Sequence, residues 1–434
     1  MKVVIIAGGK GTRLGALDLP KPMIQIAGKP ILEYQVENVK KYNLKDIYIL
    51  SGYNAHKIVD YFGDGSKWDV NITHVIEEIP LGTAGALKQI EHLLKEKFLV
   101  LYGDTLFDIN LSRMIEFNLE NESIGTLLVH PNDHPHDSDL VEIDSNFNII
   151  QFHSKPHPEN KYFKNLVNAA LYILTPEIFG YIPANQTSDF GKDIFPKILS
   201  SGGSLKAFKS TEYIKDMGTP ERLRKVSSDM ISGKISRLNI TNKRKAIFLD
   251  RDGVINEEKG NIFKLEDFII IPGIADAIRK INQSLYLVVV VTNQPVLAKG
   301  FCTEETLRQI QNKMEYELGQ QGAYIDATYF CPHHPDKGYP GEITSLKIDC
   351  NCRKPAIGMI AAAKSDLNID LSGSYIIGDS TTDIQTGLNA GLKSVLLKTG
   401  YGGTDGKYSV VPDFTFETLM YAVNFILGDI SDEK

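Results

Sequence analysis

Five polar residues stand where apolar runs end in the second half of the chain, an arrangement that suits phosphoryl transfer. They are Asp250 and Asp252 after KAIFL, Thr292 and Asn293 at the end of LYLVVVVTN, and Asp379 after SYIIG. Lys354 lies between the last two of these places in the sequence. The carboxyl ends of strands in an open α/β sheet are where ligands bind, so these side chains are expected to lie together. Asp250 would attack phosphorus, as carboxylates do in enzymes that form an aspartyl phosphate.

The remaining members of this set suit other parts of the same chemistry. Asp252 would protonate the leaving oxygen and later activate water, while Thr292 and Lys354 would hold the phosphoryl oxygens. Asp379 would help to bind Mg²⁺, which offsets the repulsion between a carboxylate and a phosphate. A lone Asp-x-Asp pair at the end of a strand is often only a solvated turn. Four polar strand ends in this order are much harder to explain without a site, so the pattern predicts a phosphatase.

Three of the four cysteines in the chain lie in the stretch CPHHPDKGYPGEITSLKIDCNC, together with two histidines. A disulfide is disfavoured because thiols stay reduced in the cytoplasm, and because Cys350 and Cys352 would close a small, strained ring. Three thiolates and one histidine form a common structural zinc set. The spacing leaves open whether His333 or His334 completes it. Cys302 lies far away in the sequence and is expected to be a packed thiol.

The first apolar run, VVIIAGG, leads into a glycine-rich loop whose backbone can approach phosphates closely. The loop fits neither a Walker A sequence nor G-x-G-x-x-G, since Leu14 occupies the place of the third glycine. Arg13 and Lys21 add positive charge, and Lys21 is held in a stiff Pro-Lys-Pro. Asp104 at the end of KFLVLYGD and Asp216 in IKDMGTP could hold Mg²⁺ against a triphosphate. The basic pair would stabilise the charge that develops on a leaving pyrophosphate.

The composition excludes several classes of protein. The 434 residues are 42% hydrophobic and 23% charged, which is ordinary for a globular protein of two or three domains. The formal net charge of −7 argues against nucleic-acid binding. No apolar stretch approaches the roughly 20 residues that span a bilayer, and the start MKVVIIAGG lacks the length and cleavage site of a signal peptide. We therefore expect a cytoplasmic protein that acts on small molecules, with no membrane partner.

Short apolar runs alternate with helix-length segments throughout the chain, which predicts an α/β architecture. The runs that indicate buried strands are VVIIAGG, DIYILSG, KFLVLYGD, GTLLVH, LVNAALYIL, KAIFLDRDG, LYLVVVVTN and SYIIGDS. Several are nearly continuous in Val, Ile and Leu, as is typical of parallel strands covered on both faces. A helix-like stretch from Pro220 precedes the polar segment ISRLNITNKRK, so the junction is placed at about residues 235–244. The predicted domains are residues 1–238 and 244–430.

The motifs DRDGVIN, VTNQ, CRKP and GDSTTD, in this order, resemble those of the haloacid dehalogenase phosphatase superfamily. More narrowly, they are similar to its heptose bisphosphate and histidinol-phosphate phosphatase branch. The resemblance implies a Rossmann-like domain, with Asp250 as nucleophile and Asp252 as general acid and base. Because the stretches between the motifs are short, we expect no large cap domain. It places Mg²⁺ on Asp250, Asp379 and the Asp252 carbonyl, and it implies that Arg353 and Lys354 contact substrate or phosphate.

This resemblance covers about residues 244–425 and includes a metal loop. Members of the heptose bisphosphate branch carry structural zinc at the positions that match Cys331, His333, Cys350 and Cys352. Such a metal clip would fix the two basic residues that follow it directly. One departure is TNQPVLAKG, where the family commonly has Ser-Gly after the Gln, in the substrate loop.

The motifs AGGKGTRL, PKP, PLGTAGAL, LYGD and KDMGTPERL, over about residues 1–230, resemble the sugar-1-phosphate nucleotidyltransferases, which have a Rossmann-like fold. The implied reaction is in-line attack of a sugar 1-phosphate on the α-phosphorus of a nucleoside triphosphate, with no covalent enzyme intermediate. The residues that would bind the triphosphate are Gly8, Gly9, Gly11, Thr12, Arg13 and Lys21. The other implied contacts are Gly82 and Thr83 near the base, Asp104 and Asp216 on metal, and Lys155 and Asn168 at the sugar phosphate.

Two departures fall where the sugar should bind. Ser154-Lys155-Pro156 stands in place of the usual Glu-Lys-Pro, and Asn168-Ala169-Ala170 stands in place of the usual Asn-Ala-Gly. The nearby stretch HPNDHPHDSD is compatible with a second metal site, but a solvated loop near the sugar is the favoured interpretation.

The two resemblances together imply consecutive reactions. The heptose branch removes the 7-phosphate from D-glycero-D-manno-heptose 1,7-bisphosphate and leaves heptose 1-phosphate, the kind of compound that nucleotidyltransferases activate. GTP is the expected nucleotide, since ADP-heptose synthesis uses an unrelated transferase fold, and the products would be GDP-heptose and pyrophosphate. One alternative is another sugar 1-phosphate, of mannose or glucose type, with a different phosphatase substrate. The other is a nucleotide-sugar sensor without catalysis.

Overall fold

The computed structural model describes residues 1–9, 18–159 and 161–428, and the chain divides into two compact units. Unit 1 consists of Met1–His130, Asp139–Lys155 and Leu166–Asn239. Unit 2 consists of Pro131–Ser138, Pro156–Asn165 and Ile240–Lys434. No helix within the described ranges is long and apolar enough to cross a membrane.

Unit 1 is built on a mixed sheet of nine strands, with two short two-stranded pairs beside it. Its strands are β1 Lys2–Ala7, β2 Gln25–Ile26, β3 Lys29–Pro30, β4 Asp46–Ser51, β5 Asn71–Ile76, β6 Phe98–Tyr102, β7 Thr105–Asp108, β8 Gly125–His130, β9 Leu140–Ile143, β10 Ile149–His153, β11 Val167–Leu174, β12 Leu205–Lys209 and β13 Tyr213–Asp216. Its α-helices are α1 Ile31–Lys41, α2 Ala55–Phe62, α3 Gly82–Lys88, α4 Leu111–Glu120, α5 Phe195–Ser200, α6 Pro220–Ile231 and α7 Lys234–Arg237.

The order of strands in the large sheet is β10-β9-β11-β6-β1-β4-β5, and β8 pairs with β11 and β12. Strand β1 lies between β4 and β6 and is parallel to both, whereas β11 runs antiparallel to β6 and β8. Val3 and Ile5 of β1 enter one hydrophobic core, and Val4 enters a second core on the opposite face. The strand order reverses at β1, so the carboxyl ends of β1 and β6 border the crevice where ligands bind in such sheets.

Unit 2 is built on a sheet of six parallel strands covered by helices. Its strands are β14 Lys245–Leu249, β15 Tyr286–Asn293, β16 Ala327–Cys331, β17 Tyr375–Gly378, β18 Lys393–Leu397 and β19 Phe414–Phe416. Its α-helices are α8 Ile274–Gln283, α9 Glu304–Gln320, α10 Gly358–Leu367, α11 Thr381–Ala390 and α12 Leu419–Leu427. The order β16-β15-β14-β17-β18-β19 is that of a doubly wound sheet, with the switch point at β14.

Local sequence accounts for these elements. Strand β15 is YLVVVVTN, whose central residues are all buried, and β-branched side chains of this kind fit a pleated, covered surface. Helix α11 begins with a capping box in which Ser380 and Asp383 satisfy each other's backbone N–H groups. The Thr219 side chain caps α6 by accepting the Arg222 N–H.

The α/β prediction is confirmed, and all eight apolar runs form strands. One difference concerns direction. Strand β11 is apolar along most of its length, as parallel strands often are, yet it pairs antiparallel with β6. An apolar run indicates burial on both faces but does not specify which way the strand runs.

Candidate active sites

A buried lysine lies between two carboxylates at the carboxyl edge of the unit 2 sheet. Lys354 Nζ lies 2.9 Å from Asp250 Oδ1 and 2.6 Å from Asp383 Oδ1, and its side chain is 3% exposed. Asp250 follows β14 directly, and its backbone N–H donates to the Ile377 carbonyl oxygen on β17. Burial alone would lower the pKa of Lys354, but the Asp250 and Asp383 carboxylates outweigh burial and raise it. The lysine therefore remains a fixed positive charge beside Asp250.

Replacing Lys354 by methionine is expected to destabilise unit 2. Methionine has a similar length but no charge, so Asp250 and Asp383 would stay buried without a counter-charge, a change that typically costs about 3–5 kcal/mol. Urea unfolding followed by circular dichroism measures the free energy of unfolding. The matched control is Lys398→Met, since Lys398 pairs with Glu417 at an exposed position and exposed pairs contribute at most about 1 kcal/mol. Equal losses in the two variants would contradict the prediction.

Asp252 is held by neutral and basic donors and not by Lys354. Its Oδ1 accepts from Arg251 Nη2 at 2.8 Å and from Asn256 Nδ2 at 3.0 Å, and its Oδ2 accepts from Gln294 Nε2 at 2.9 Å. Gln294 also donates to Thr292 Oγ1 at 3.0 Å. Arg251 and Asn256 are fully buried. These contacts fix the Asp252 carboxyl group close to the end of β14, where it is suited to exchange protons.

Asp379 follows β17 and lies against two glycines of neighbouring loops. Its Oδ2 accepts the backbone N–H of Tyr401 at 2.7 Å. A Cβ on Gly253 would lie 2.2 Å from Asp379 Oδ2, and a Cβ on Gly400 would lie 2.0 Å from it. Both glycines also have positive φ angles. The position of the Asp379 carboxylate therefore depends on glycine at both places.

Three carboxylates in this site form a cluster suited to a divalent cation. Oxygen atoms of Asp250, Asp379 and Asp383 all lie within 4.8 Å of one another. Burial, followed by the charge of Asp250, raises the pKa of Asp379 to about 8. Burial also raises the pKa of Asp250, although Lys354 opposes the shift. Crowded, desolvated carboxylates of this kind are the hard oxygen ligands that Mg²⁺ prefers, so the residues present fit that ion.

Sequence reasoning missed Asp383. It stands in the motif GDSTTD, but a carboxylate three residues after a helix cap is explained by capping alone. In the structure Asp383 Oδ2 accepts from the Ser380 hydroxyl while Oδ1 accepts from Lys354. The Asp252 carboxylate, in contrast, is not a member of the cluster of three oxygen ligands.

The cysteine-rich window folds into a compact group of four potential metal ligands. The Cys331 Sγ atom lies 3.5 Å from that of Cys350 and 3.2 Å from that of Cys352, and Cys350 and Cys352 are 3.3 Å apart. His333 Nδ1 lies 3.3 Å from Cys352 Sγ. All four cysteines of the chain are free of disulfides. His334 lies outside the group, since its Nδ1 accepts the Asp336 N–H instead. Three sulfurs and one imidazole fit zinc.

In unit 1, two of the predicted carboxylates lie on adjacent chain segments. Asp104 follows β6, and its Oδ2 lies 3.2 Å from Lys21 Nζ. Asp216 ends β13, and Met217 N donates to the Asp104 carbonyl oxygen at 3.0 Å. The Asp216 carboxylate accepts from Arg222 Nη1 through both oxygens, each at 2.8 Å. The backbone thus brings the segments of Asp104 and Asp216 together, with Asp104 beside Lys21 and Asp216 beside Arg222.

Gly82 and Thr83 begin α3 and are held by a distant segment. Thr83 Oγ1 donates to Asp189 Oδ2 at 2.8 Å and accepts the Phe190 N–H at 3.0 Å. Gly82 has a φ of +75°, and a Cβ there would lie 2.5 Å from the Ser188 carbonyl oxygen. Asp189 was not predicted. Its contact with Thr83 joins residues 106 positions apart in sequence, and nothing local indicates it.

The segment predicted to face the sugar contains a strained residue. Ala170 adopts a φ of +56°, in the left-handed region that favours glycine, at an irregularity in the pairing of β11 with β8. Its N–H donates to Asn168 Oδ1 at 3.4 Å. Lys155 is exposed, and its N–H donates to Asp139 Oδ1 at 3.2 Å. Strain of this kind is found at ligand sites more often than elsewhere.

Part of the predicted phosphate loop lies outside the described residues. Gly8 and Gly9 follow β1, whereas Gly11, Thr12 and Arg13 lie outside the described residues. Within the described ranges, no group of potential metal ligands includes a histidine of the stretch HPNDHPHDSD.

Each half of the chain matches a family of known enzymes. Residues 2–233 match the family model described as nucleotidyl transferase, and residues 351–422 match the HAD-hydrolase-like model. The chain belongs to the nucleotidyl transferase family and carries a HAD-type phosphatase. This fusion enzyme therefore combines transferase and phosphatase activities.

Relatives of each half are found separately. A D-glycero-beta-D-manno-heptose-1,7-bisphosphate 7-phosphatase from Yersinia pestis is 40% identical over 37% of the fusion enzyme and 84% of its own length. A D-glycero-alpha-D-manno-heptose-1,7-bisphosphate 7-phosphatase from Burkholderia mallei is also 40% identical, over 36% of the fusion enzyme and 80% of its own length. A UTP–glucose-1-phosphate uridylyltransferase from Synechocystis is 34% identical over 46% of the fusion enzyme and 56% of its own length. The C-terminal half thus belongs to the same family as the two phosphatases.

Proposed function

We propose that the fusion enzyme converts D-glycero-D-manno-heptose 1,7-bisphosphate to heptose 1-phosphate and then transfers GMP from GTP to that product, giving GDP-heptose and pyrophosphate. The observation that carries the proposal is the pairing of the two halves. Relatives of the phosphatase half are named for removal of the 7-phosphate, which leaves a sugar 1-phosphate. A sugar 1-phosphate is the acceptor that the uridylyltransferase relative of the other half is named for. We assign the transferase to residues 1–238 and the phosphatase to residues 244–430.

In the phosphatase half, an Asp250 oxygen would attack the phosphorus of the 7-phosphate, and the bond from phosphorus to the sugar oxygen would break. Asp252 would donate a proton to that leaving oxygen and would then take a proton from the water that hydrolyses the aspartyl phosphate. Lys354 and Thr292 would hold the phosphoryl oxygens. Asp250, Asp379 and the Asp252 carbonyl would hold Mg²⁺, with Asp383 close by, and the bound ion would supply positive charge at the phosphoryl group.

Basic side chains near this site suit a substrate with a second phosphate. Lys299 follows β15, and its ammonium lies over the Tyr339 ring, 5.1 Å from the centroid. Lys347 lies over the same ring at 4.4 Å. Burial, followed by the charges of Arg353 and Lys347, lowers the pKa of Lys299. An anion would relieve this repulsion. Together with Asn293 and Arg353, Lys299 would bind the part of the substrate that does not react, whereas Lys347 is buried beside Glu342.

In the transferase half, an oxygen of the sugar 1-phosphate would attack the α-phosphorus of GTP, and the bond to the departing pyrophosphate would break. Lys21 and Arg13 would stabilise the charge on the pyrophosphate, and Asp104 and Asp216 would hold Mg²⁺. The sugar phosphate would contact Lys155 and Asn168. The nucleotide would lie along the glycine-rich loop and α3, against Gly8, Gly9, Gly11, Thr12, Gly82 and Thr83.

Zinc in the cysteine group would have a structural role. Arg353 Nη1 donates to the His333 carbonyl oxygen at 3.2 Å, and Lys354 is the next residue, so the group positions both basic side chains. We expect roughly one zinc ion per chain by elemental analysis. The variant Cys352→Ser should lose it and should melt several degrees lower. Cys302→Ser is the matched control and should keep its zinc. Full zinc content in Cys352→Ser would argue against the assignment.

Mg²⁺ is expected to raise the melting temperature more at pH 9 than at about pH 6. The pKa of Asp379 is about 8 in the fold against 3.8 ordinarily, so without the ion the folded state binds a proton that the unfolded state has lost. The free energy of unfolding therefore falls as pH rises from about 4 to about 8. Below about pH 8, Mg²⁺ must displace the proton of Asp379 in order to bind, which weakens binding. At pH 9 the carboxylate is already ionised, so Mg²⁺ stabilises the fold more. Thermal melts with and without Mg²⁺ measure the increase in melting temperature, which should be smaller and depend less on pH in Asp379→Asn. An equal increment at both pH values in the wild type would contradict the prediction.

The proposal is tested by incubating the purified chain with heptose 1,7-bisphosphate, in its α and β forms, with Mg²⁺ and each nucleoside triphosphate in turn. Mass spectrometry identifies the products. GDP-heptose formed with GTP would support the whole proposal. UDP-heptose would indicate the nucleotide named for the Synechocystis relative. Heptose 1-phosphate without any nucleotide sugar would leave the phosphatase assignment in place, and glucose 1-phosphate and mannose 1-phosphate would then be tried as acceptors.

A further inference from the structure

Two segments from the transferase half of the sequence belong to unit 2. They are Pro131–Ser138 and Pro156–Asn165, which lie in one compact unit with the phosphatase sequence. The described residues of both segments contain one short 3₁₀ turn and no strand or α-helix. Chain with so little regular structure of its own needs outside contacts to offset the entropy of holding one conformation.

Helix α9 of unit 2 supplies buried polar contacts to the second of these segments. Glu315 Oε2 accepts the backbone N–H of Asn165 at 2.8 Å, and Asn312 Nδ2 donates to the Tyr162 carbonyl oxygen at 3.2 Å. The rings of Tyr162 and Tyr316 meet edge to face, with centroids 5.5 Å apart. Both Glu315 and Asn312 are buried, and glutamate is rarely buried unless it is paired. A buried carboxylate of α9 thus fixes the end of this segment.

Asn165 extends this attachment to the first segment. Its Nδ2 donates to the Asn132 carbonyl oxygen at 2.8 Å, and its Oδ1 accepts the Asn132 N–H at 3.1 Å. The Asn132 side chain donates in turn to Ser138 Oγ at 2.9 Å. Asn132, Ser138 and Asn165 are all buried. The two segments therefore form one hydrogen-bonded group that is attached to Glu315.

The first segment also packs directly against α9. A Cβ on Gly319 would lie 2.2 Å from Pro135 Cγ, so Pro135 can approach this closely only because residue 319 is glycine. Gly319 is buried within α9, where glycine weakens a helix relative to alanine. The close approach of Pro135 accounts for a residue that the helix alone would not favour.

Both segments continue directly into the residues proposed to contact the sugar phosphate. Lys155 immediately precedes the second segment, and Asn168 follows that segment by three residues. Asp139 immediately follows the first segment, and its Oδ1 accepts the Lys155 N–H at 3.2 Å. Because so few residues of chain allow only small displacements, the attached segments restrict where Lys155 and Asn168 can lie.

We infer that helix α9 of the phosphatase positions the sugar-phosphate contacts of the transferase through these segments, with Glu315 and Gly319 as positioning residues. Thr83, proposed to lie near the base, is held from within unit 1 instead. Loss of the attachment should therefore weaken binding of the sugar 1-phosphate and not of the nucleotide. This inference rests on the proposed function, because it takes Lys155 and Asn168 as the contacts of the sugar phosphate.

The test measures KM for heptose 1-phosphate and for GTP in the full chain, in the wild type and in Glu315→Ala, Glu315→Gln and Gly319→Ala. In Glu315→Ala the Asn165 N–H loses this acceptor, so KM for heptose 1-phosphate should rise at least about 10-fold while KM for GTP is unchanged. Glu315→Gln keeps an oxygen that can accept the N–H and should stay within about 3-fold of the wild type. Gly319→Ala favours the helix but displaces Pro135, so it should also raise KM for heptose 1-phosphate.

Glu304→Ala is the matched control, since Glu304 is exposed in the first turn of α9, and it should keep both KM values. Phosphate release from heptose 1,7-bisphosphate at the wild-type rate shows that unit 2 is folded in each variant. Should Glu315→Ala fail to fold, Gly319→Ala provides the same test. The inference is overturned by folded variants that keep the wild-type KM for heptose 1-phosphate, or in which KM for GTP rises equally.

A different outcome concerns the proposed function. A wild type that uses no nucleotide with heptose 1-phosphate, but does so with mannose or glucose 1-phosphate, overturns the proposed sugar. The same comparison of KM values made with that sugar then decides the role of α9.

Discussion

Replacing Asp250 by asparagine is expected to lower phosphate release from heptose 1,7-bisphosphate by about 10⁴-fold or more, the scale seen when a catalytic nucleophile is removed. The amide has nearly the shape of the carboxylate, and its oxygen can still accept from Lys354, which lies 2.9 Å from Asp250 Oδ1. The neutral amide oxygen is a much poorer nucleophile than a carboxylate oxygen, so the aspartyl phosphate should not form. Pyrophosphate release by the transferase, measured with heptose 1-phosphate supplied directly as acceptor, should continue at the wild-type rate.

Stability distinguishes lost chemistry from lost structure in this variant. Asp250 is one of three crowded carboxylates, and its own pKa is raised by burial and by the neighbouring Asp383 and Asp252 charges. Removing its charge should leave the melting temperature in Mg²⁺-free buffer unchanged or higher at pH 8. Asp276→Asn is the control, since Asp276 is exposed on α8 and pairs with Arg279. Substantial phosphate release by Asp250→Asn would show that another group is the nucleophile, and loss of both activities would argue against independent sites.

The sequence indicated those site residues that end buried strands. Asp250 and Asp379 follow strongly apolar runs, and the order of strands in the sheet brings such ends together. Asp383 could not be recognised in the same way, because its position in α11 is explained by helix capping. Its second role, as a partner of Lys354, depends on packing between segments 29 residues apart.

The same limit applies in unit 1. Ala170 stands where the family resemblance expects glycine, and this replacement can be read from the sequence. The positive φ angle that Ala170 adopts cannot be read from the sequence. The contact between Thr83 and Asp189 follows from tertiary packing. Hydrophobic pattern specifies which residues form strands, whereas contacts between loops at the sheet edge depend on strand order and register.

Replacing Asp104 by asparagine is expected to lower pyrophosphate release from GTP by about 10²–10³-fold, the range found when a group that stabilises transition-state charge is removed. Asp104 follows β6, and its carboxylate lies beside Lys21. A neutral amide is a weaker ligand for Mg²⁺ than a carboxylate, and it also leaves the ammonium of Lys21 without this counter-charge. Phosphate release from heptose 1,7-bisphosphate should be unaffected.

The dependence on metal concentration separates a ligand role for Asp104 from a purely structural one. If Asp104 binds the cation, the variant should need more Mg²⁺ than the wild type to reach half of its own maximal rate. A structural defect would lower the rate equally at every concentration. Asp60→Asn, an exposed change on α2, is the matched control and should behave as the wild type. Because Asp216 is already held by Arg222 through both oxygens, Asp104 is the freer of the two carboxylates to change its partner when the metal nucleotide binds, and its loss should cost more activity than the loss of Asp216.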